Sequence, residues 1–241
     1  GNMKSILEIC QEVADIAATK RPEDLFNRNS QHEAIWLSVA KMELDSLLRF
    51  GDWQELTKEG ILRTAGKKTK YIMGNVVPDF YSLLNNTIYI KDTQEKVIGA
   101  ITPEDWMREK YFSCPGIDLK FKLQNGMIHF LTVPADGLKI VFQYRSNNIV
   151  MDGSTYEEKS VLSKNSDIPL FDEHVIKLGI LWRWYRRNGL DYAEEFNEYE
   201  RERKLKFGTG LATKDINLSA PGGWGDVVDL GVMVNPVRGD A

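Results

Sequence analysis

The sequence predicts an α+β protein: a helical bundle formed by helices near the two ends of the chain, an inserted antiparallel β domain, and an extended C-terminal arm. Two observations predict this order. Apolar residues recur every three or four positions up to about residue 66 and again before residue 207, as in amphipathic helices. In between, the period changes to two, as in strands with one buried face. The predicted parts are residues 3–66, 67–160, 161–207 and 208–241.

Two helices are predicted in the first part. Ser5 and Ser30 are each followed three residues later by a glutamate, the capping-box spacing at which both side chains cover free N–H groups at a helix start. Pro22 ends the first helix, because the residue before a proline disfavours the helical conformation. Gly51 is predicted to end the second helix as a left-handed cap. The apolar side of this second helix is wide, so we expect it to pack against more than one neighbour.

The middle part is predicted to form an antiparallel sheet or a small sandwich. Residues 138–145 and 119–123 alternate apolar with polar side chains. Asn125-Gly126 supplies the positive φ angles that a tight hairpin turn needs, which makes 127–132 the return strand. Thr102-Pro103 is predicted to begin a one-turn helix, with the threonine as its cap and the proline at its first position.

The third part is predicted to contain two helices that are separated at Asn188-Gly189. The first has a buried stripe with spacings of four and three, and Asp191 with Glu194 forms a third capping box for the second helix. The stripe consists of Phe171, Val175, Leu178, Trp182 and Tyr185.

The last part is rich in glycine and has no sustained period, so it cannot build a core of its own. It nevertheless carries large apolar side chains that need to be covered. We therefore predict an arm that docks on another surface. Its predicted partner contacts are Trp224, Leu230, Val232 and Met233.

A run of aromatic and basic residues ends the first of these C-terminal helices. Trp184 is predicted to point away from the buried stripe, and Arg183, Arg186 and Arg187 lie beside it. Three interpretations remain open. The long side chains cover the edge of the bundle, or they form a protein-binding surface, where Trp and Arg are enriched, or they stack bases and pair phosphates. The formal net charge of −4 argues against nucleic-acid binding as the main role.

The sequence contains no pattern that indicates a metal, a cofactor or a catalytic nucleophile. Its three histidines are far apart, and Cys10 and Cys114 have no partner at metal-binding spacing. No apolar run is long enough to span a membrane. Acidic pairs such as Glu104-Asp105 and Glu157-Glu158 leave one enzymatic alternative, a cell-wall glycosidase, which needs two carboxyl groups across a cleft. Trp106 and Trp224 leave another alternative, a carbohydrate-binding virion protein.

Several landmarks between residues 3 and 206 occur together in an order typical of one family. They include Val77-Pro78-Asp79-Phe80, Thr87–Ile90, Thr102–Trp106, and the run from Pro169-Leu170-Phe171 through Leu181-Trp182-Arg183-Trp184 to Asp191-Tyr192. With the N-terminal helix pair, they make the chain resemble the head-to-tail connector, or adaptor, proteins of tailed bacteriophages. This group includes the tail accessory factor beneath the portal of short-tailed phages.

The resemblance implies a structural protein of a phage or prophage virion, located at the head–tail junction and in the host cytoplasm before assembly. It implies a ring, usually of twelve copies, beneath the portal protein, assembled from free monomers and followed by tail proteins. The ring would extend the DNA channel without binding DNA specifically, and the C-terminal segment would run along the portal. The family pattern implies no catalytic residues, no cofactor and no membrane contact.

Overall fold

The computed structural model describes residues 3–112, 116 and 118–215, with side chains described through residue 208, and it has a mixed α+β fold. The α+β class predicted from the sequence is therefore confirmed. Within these residues the helices are α1 (Ile6–Ile16), α2 (Gln31–Phe50), α3 (Met73–Val76), α4 (Pro103–Tyr111), α5 (Glu173–Arg187) and α6 (Ala193–Asp215). The strands are β1 (Thr57–Arg63), β2 (Lys70–Ile72), β3 (Phe80–Leu83), β4 (Tyr89–Ile90), β5 (Phe121–Gln124), β6 (Met127–Phe130), β7 (Lys139–Ser146), β8 (Val150–Met151), β9 (Glu158–Lys159) and β10 (Ile168–Pro169).

The capping box at the start of α1 is confirmed. The Ser5 hydroxyl accepts a hydrogen bond from the Glu8 N–H at 3.3 Å, and the Glu8 carboxylate accepts one from the Ser5 N–H at 3.1 Å. The box predicted at α2 is only half formed. Ser30 accepts from the Glu33 N–H, but the Glu33 carboxylate accepts instead from the N–H of Glu23, in the preceding loop.

The capping box predicted at α6 is replaced by a hydrogen bond between residues that are closer in sequence. The Asp191 carboxylate accepts from the N–H of Ala193 at 3.1 Å, not from that of Glu194. A bond to a backbone N–H two residues ahead is the usual local geometry of an aspartate before a helix.

Gly51 ends α2, but the predicted left-handed cap is wrong. Its φ is 173°, which is extended backbone open to any residue. Glycine is required there by packing, since a Cβ on Gly51 would lie 2.6 Å from the ring of Phe207. The end of α2 and the later part of α6 are thus in direct contact.

Helices from both ends of the chain contribute to one apolar core. Helix α5 contacts α1, α2 and α6, and the buried side chains of these four helices belong to a single cluster that also includes Trp53, Val150 and Leu162. Because α5 has neighbours on several sides, most of its circumference is buried. Leucine, isoleucine and tryptophan at successive positions, Ile180 to Trp182, fit such a helix.

Three antiparallel sheets form the middle of the chain. In the largest, β7 pairs with β1 on one side and with β3 and β4 on the other. The second sheet has the order β2-β6-β5, and the predicted hairpin between β5 and β6 is confirmed, with φ of 52° at Asn125 and 70° at Gly126. A small third sheet has the order β10-β8-β9. The first two sheets surround a second apolar core.

Several predicted boundaries differ from the structure. Strand β1 lies inside the part predicted as helical. Its sequence does not identify it as a strand, because the alternation of buried Gly60 and Leu62 with exposed neighbours is short and follows charged residues. Helix α4 begins at the Thr102 cap as predicted but continues to Tyr111, well beyond one turn. Helix α6 continues to Asp215, so the predicted arm does not begin at residue 208. Residues 216–241 lie outside the described residues.

A groove with a basic rim as the candidate functional site

The prediction that Trp184 lies on a partner-binding surface is wrong. Its side chain is only 5% exposed and its indole stacks on that of Trp36, with ring centroids 3.9 Å apart and planes at 8°. The His32 ring meets both indoles edge-on. A single stripe was expected to be buried on α5, but α2 covers a second face of that helix, and Trp184 lies on it.

Arg183 is also buried rather than available to a partner. Its guanidinium forms an ion pair with the carboxylate of Glu43 on α2, and it donates to the Gly179 carbonyl at 3.2 Å. The Tyr199 hydroxyl of α6 donates to the other Glu43 oxygen at 2.9 Å. A Cβ on Gly179 would lie 2.1 Å from the Glu43 carboxyl, so this glycine makes room for the acid.

Burial raises the pKa of Glu43 to about 7, although Arg183 and Tyr199 both act in the opposite direction. Burial also raises the pKa of Tyr199 to about 12, with the negative charge of Glu43 adding to the effect. Glu43 has no exposed surface, so no substrate can reach it. This network joins three helices and is structural.

Arg186 and Arg187 agree with the prediction of an exposed basic surface. Both side chains are exposed in the last turn of α5, and neither forms an ion pair within the described residues. Basic residues in the last turn of a helix interact favourably with its dipole. That interaction leaves their donors free for an acidic partner.

These two arginines lie at one end of a groove that follows the outer side of α2. Two adjoining depressions of about 520 and 360 Å³ share Ser38 and Met42. We call them together the α2 groove. One depression lies between α2 and the loop before it, and the other lies between α2 and α5. The apolar lining comes from Leu25, Phe26, Ile35, Leu37, Val39, Met42 and Trp182.

The charged side chains that line the α2 groove are all basic. Arg183 is neutralised by Glu43, but four further cations form no ion pair with any described residue. They are Arg28, Lys41, Arg186 and Arg187, and all four are exposed. Met42 at the centre is 56% exposed. An apolar floor with a basic rim, on a chain of net charge −4, is chemically suited to an acidic, apolar polypeptide.

Half of this site could not be predicted from the sequence. Arg28 and Lys41 have no distinguishing pattern, and Met42 belongs by its spacing to the wide apolar side of α2. The feature of the sequence that points to this site is the width of the apolar side of α2. If the neighbouring elements cover only part of such a side, the remaining apolar surface stays exposed. The other predicted contacts, Trp224, Leu230, Val232 and Met233, lie outside the described residues.

The acidic pairs considered for catalysis have local roles. Glu104 and Asp105 lie in the first turn of α4, where Asp105 pairs with Arg108. Glu158 pairs with Lys58 on β1. In the described part of the chain, no three His, Cys, Asp or Glu side chains are grouped as metal ligands. None of the described helices is long and apolar enough to cross a lipid bilayer.

Comparison of the sequence with protein-family models gave no match, and comparison with curated proteins gave no match either.

Proposed function

We propose that this chain is a head-to-tail adaptor of a tailed phage or prophage, a structural protein and not an enzyme. Copies assemble as a ring beneath the portal and extend the DNA channel. In this proposal the helices of both ends form one bundle, the sheets form an inserted β domain, and residues after α6 form an extended arm.

The observation that carries the proposal is the α2 groove. Its apolar floor and its four cations without ion pairs among the described residues have the composition of a protein-binding site, in which apolar contact supplies affinity and charge supplies specificity. Arg186 and Arg187 belong to the run that also carries the resemblance to adaptors. A ring requires such a surface on every copy, because each copy contacts the next.

The order of elements supports the same function. Buried residues of α1, α2, α5 and α6 share one core, while the first two sheets enclose another. A construction of this kind fits an adaptor, in which one part contacts the portal and the other continues the channel. The acidic net charge suits a channel wall, because like charge keeps DNA from adhering to it.

The test is to mix the purified chain with the dodecameric portal ring of the same phage and separate the products by gradient sedimentation. We expect the chain to sediment with the portal at a stoichiometry of one copy per portal subunit, and to sediment as a monomer alone. A chain that stays at the top of the gradient in the presence of portal would refute the proposal.

A further inference from the structure

We propose that the α2 groove of one copy binds residues 224–234 of a neighbouring copy, which would make this contact the link between subunits of the ring. The inference rests on the proposed adaptor function, since that function supplies the neighbouring copy. It departs from one implication of the resemblance, namely that the C-terminal segment runs along the portal.

The groove offers a site for an acidic, apolar strand or helix. Met42 supplies exposed apolar surface at its centre, beside the half-buried Ile35. Arg186 and Arg187 lie at one end, and Arg28 and Lys41 lie along the other depression. The described part of the chain provides no carboxylate partner for any of these four exposed cations, so all four are available to an acidic partner.

Residues 224–234 have the complementary composition. The sequence of this segment is Trp-Gly-Asp-Val-Val-Asp-Leu-Gly-Val-Met-Val, with two aspartates, no basic residue and seven large apolar side chains. Asp226 and Asp229 are three positions apart in this sequence. Basic side chains surround the groove floor, so these carboxylates can pair with its rim while the apolar residues cover Met42.

Chain length favours a second copy over the same copy. The groove end at Arg187 is at the level of the start of α6, where Tyr192 contacts Trp182. Helix α6 then passes Phe207, which packs at the far end of α2 beside Gly51. At a rise of 1.5 Å per residue, Asp215 is about 33 Å beyond Ala193.

Eight residues lie between Asp215 and Trp224, and the nine Cα–Cα steps from one to the other span at most about 32 Å when fully extended. Within one copy, Trp224 could reach back to about the level of the start of α6 only as a fully extended chain. A neighbouring copy whose groove faces the end of α6 needs no such reversal. The segment of each copy then binds the groove of the next copy. This is a head-to-tail contact, which can close a ring.

A photo-cross-linking experiment on the full chain tests this directly. A benzophenone amino acid replaces Val228 in chains labelled with ¹⁵N, and these are mixed with unlabelled chains that lack the probe and assembled on the portal ring. After illumination, mass spectrometry identifies the linked peptides and the isotope of each. We expect links between a labelled segment and an unlabelled peptide containing residues 35–42 or 182–187. Links within one labelled copy, links to other surfaces, or no links would overturn the proposal.

Charge reversal provides the controls. The double substitution Arg186→Glu and Arg187→Glu is expected to reduce the mixed-isotope links about tenfold, and adding Asp226→Lys and Asp229→Lys to the probe chain is expected to restore them. The matched control is Lys67→Glu with Lys91→Glu, two exposed cations outside the groove, which should leave the links unchanged. Equal loss in both doubles would contradict a specific contact.

Thermal melting of each variant checks folding, and all four substituted cations are exposed and without ion pairs among the described residues. Sedimentation of the same mixture shows whether the chain has bound the portal. Failure of the links with intact portal binding would remove only this inference, whereas failure to bind the portal would remove the adaptor function.

Discussion

The indole of Trp36 on α2 lies flat against the indole of Trp184 on α5, with their centroids 3.9 Å apart. This contact fixes the two helices that border the second depression of the α2 groove. A residue predicted to contact a partner directly therefore acts on the groove by holding its walls together.

Replacing Trp184 with alanine is expected to destabilise the fold by about 3–5 kcal/mol, the usual cost of removing a buried large aromatic side chain. Urea unfolding followed by circular dichroism measures this cost. Arg187→Ala on the same helix is the control and should change the free energy of unfolding by no more than about 0.5 kcal/mol. Equal stability of the two variants would contradict the burial of Trp184 and indicate an exposed side chain.

Removing Arg183 is expected to leave the Glu43 carboxyl buried beside an apolar side chain. Arg183→Met should therefore cost about 3–5 kcal/mol, because a buried charge without its partner is strongly unfavourable. The double variant Arg183→Met with Glu43→Leu should be more stable than the single variant, since neither charge is then buried. A double-mutant cycle by urea unfolding tests this, and simple addition of the two single effects would contradict a coupled pair.

The raised pKa of Glu43 predicts a particular dependence of stability on pH. Between pH 4.5 and about 7 the folded chain holds a proton that the unfolded chain has released, so this group stabilises the fold most below pH 4.5 and the contribution is lost as the pH rises to 7. The charged and polar groups that face it are Arg183, Tyr199 and Arg203.

Comparison with Glu43→Gln isolates this contribution, because all other titrating groups are shared. Relative to that variant, the wild-type free energy of unfolding should fall by up to about 3 kcal/mol between pH 4.5 and 8. Urea unfolding at several pH values measures the difference. A difference that stays constant or increases with pH would show that the carboxyl is ionised throughout.

Gly51→Ala is expected to destabilise the chain by about 1–3 kcal/mol through overpacking, since its Cβ would overlap the Phe207 ring. Gly74→Ala is the control, because a Cβ there meets no atom within 4 Å. Combining Gly51→Ala with Phe207→Ala should cost less than the sum of the two single changes, a coupling that thermal or urea unfolding can measure. If Gly51→Ala left the free energy of unfolding unchanged, the close contact between Gly51 and the Phe207 ring of α6 would be contradicted.

Deleting residues 216–241 is expected to change the melting temperature by no more than about 2 °C, because the proposed contacts of that segment are with another copy. Deleting 207–241 should lower the melting temperature by more, since it also removes Phe207 from its contacts with Phe50 and Trp53. Differential scanning calorimetry distinguishes the two. A large fall for the shorter deletion would show that the segment packs on its own copy.

Local signals in the sequence were sufficient for the fold class and for several element starts. Ser5 with Glu8, Thr102 with Pro103, and Asn125-Gly126 act through backbone groups within a few residues. Such interactions depend little on the rest of the chain, so the pattern alone identifies them.

The wrong predictions concern residues whose burial or packing depends on segments far away in the sequence. The role of Gly51 depends on Phe207, and the burial of Arg183 depends on Glu43, 140 positions earlier. Helical periodicity identifies the most apolar face of α5 but not the number of its neighbouring helices, so it predicts an exposed side chain at Trp184. The α2 groove was missed for the same reason, because it exists only where α2, α5 and the loop at Arg28 come together.

The most direct test of the adaptor function is electron microscopy of the chain mixed with its portal ring. An adaptor would form a second ring of twelve copies, coaxial with the portal and attached to one end of it, with a continuous central channel. Portal rings that remain bare, or that bind copies irregularly around the outside without a channel, would contradict it.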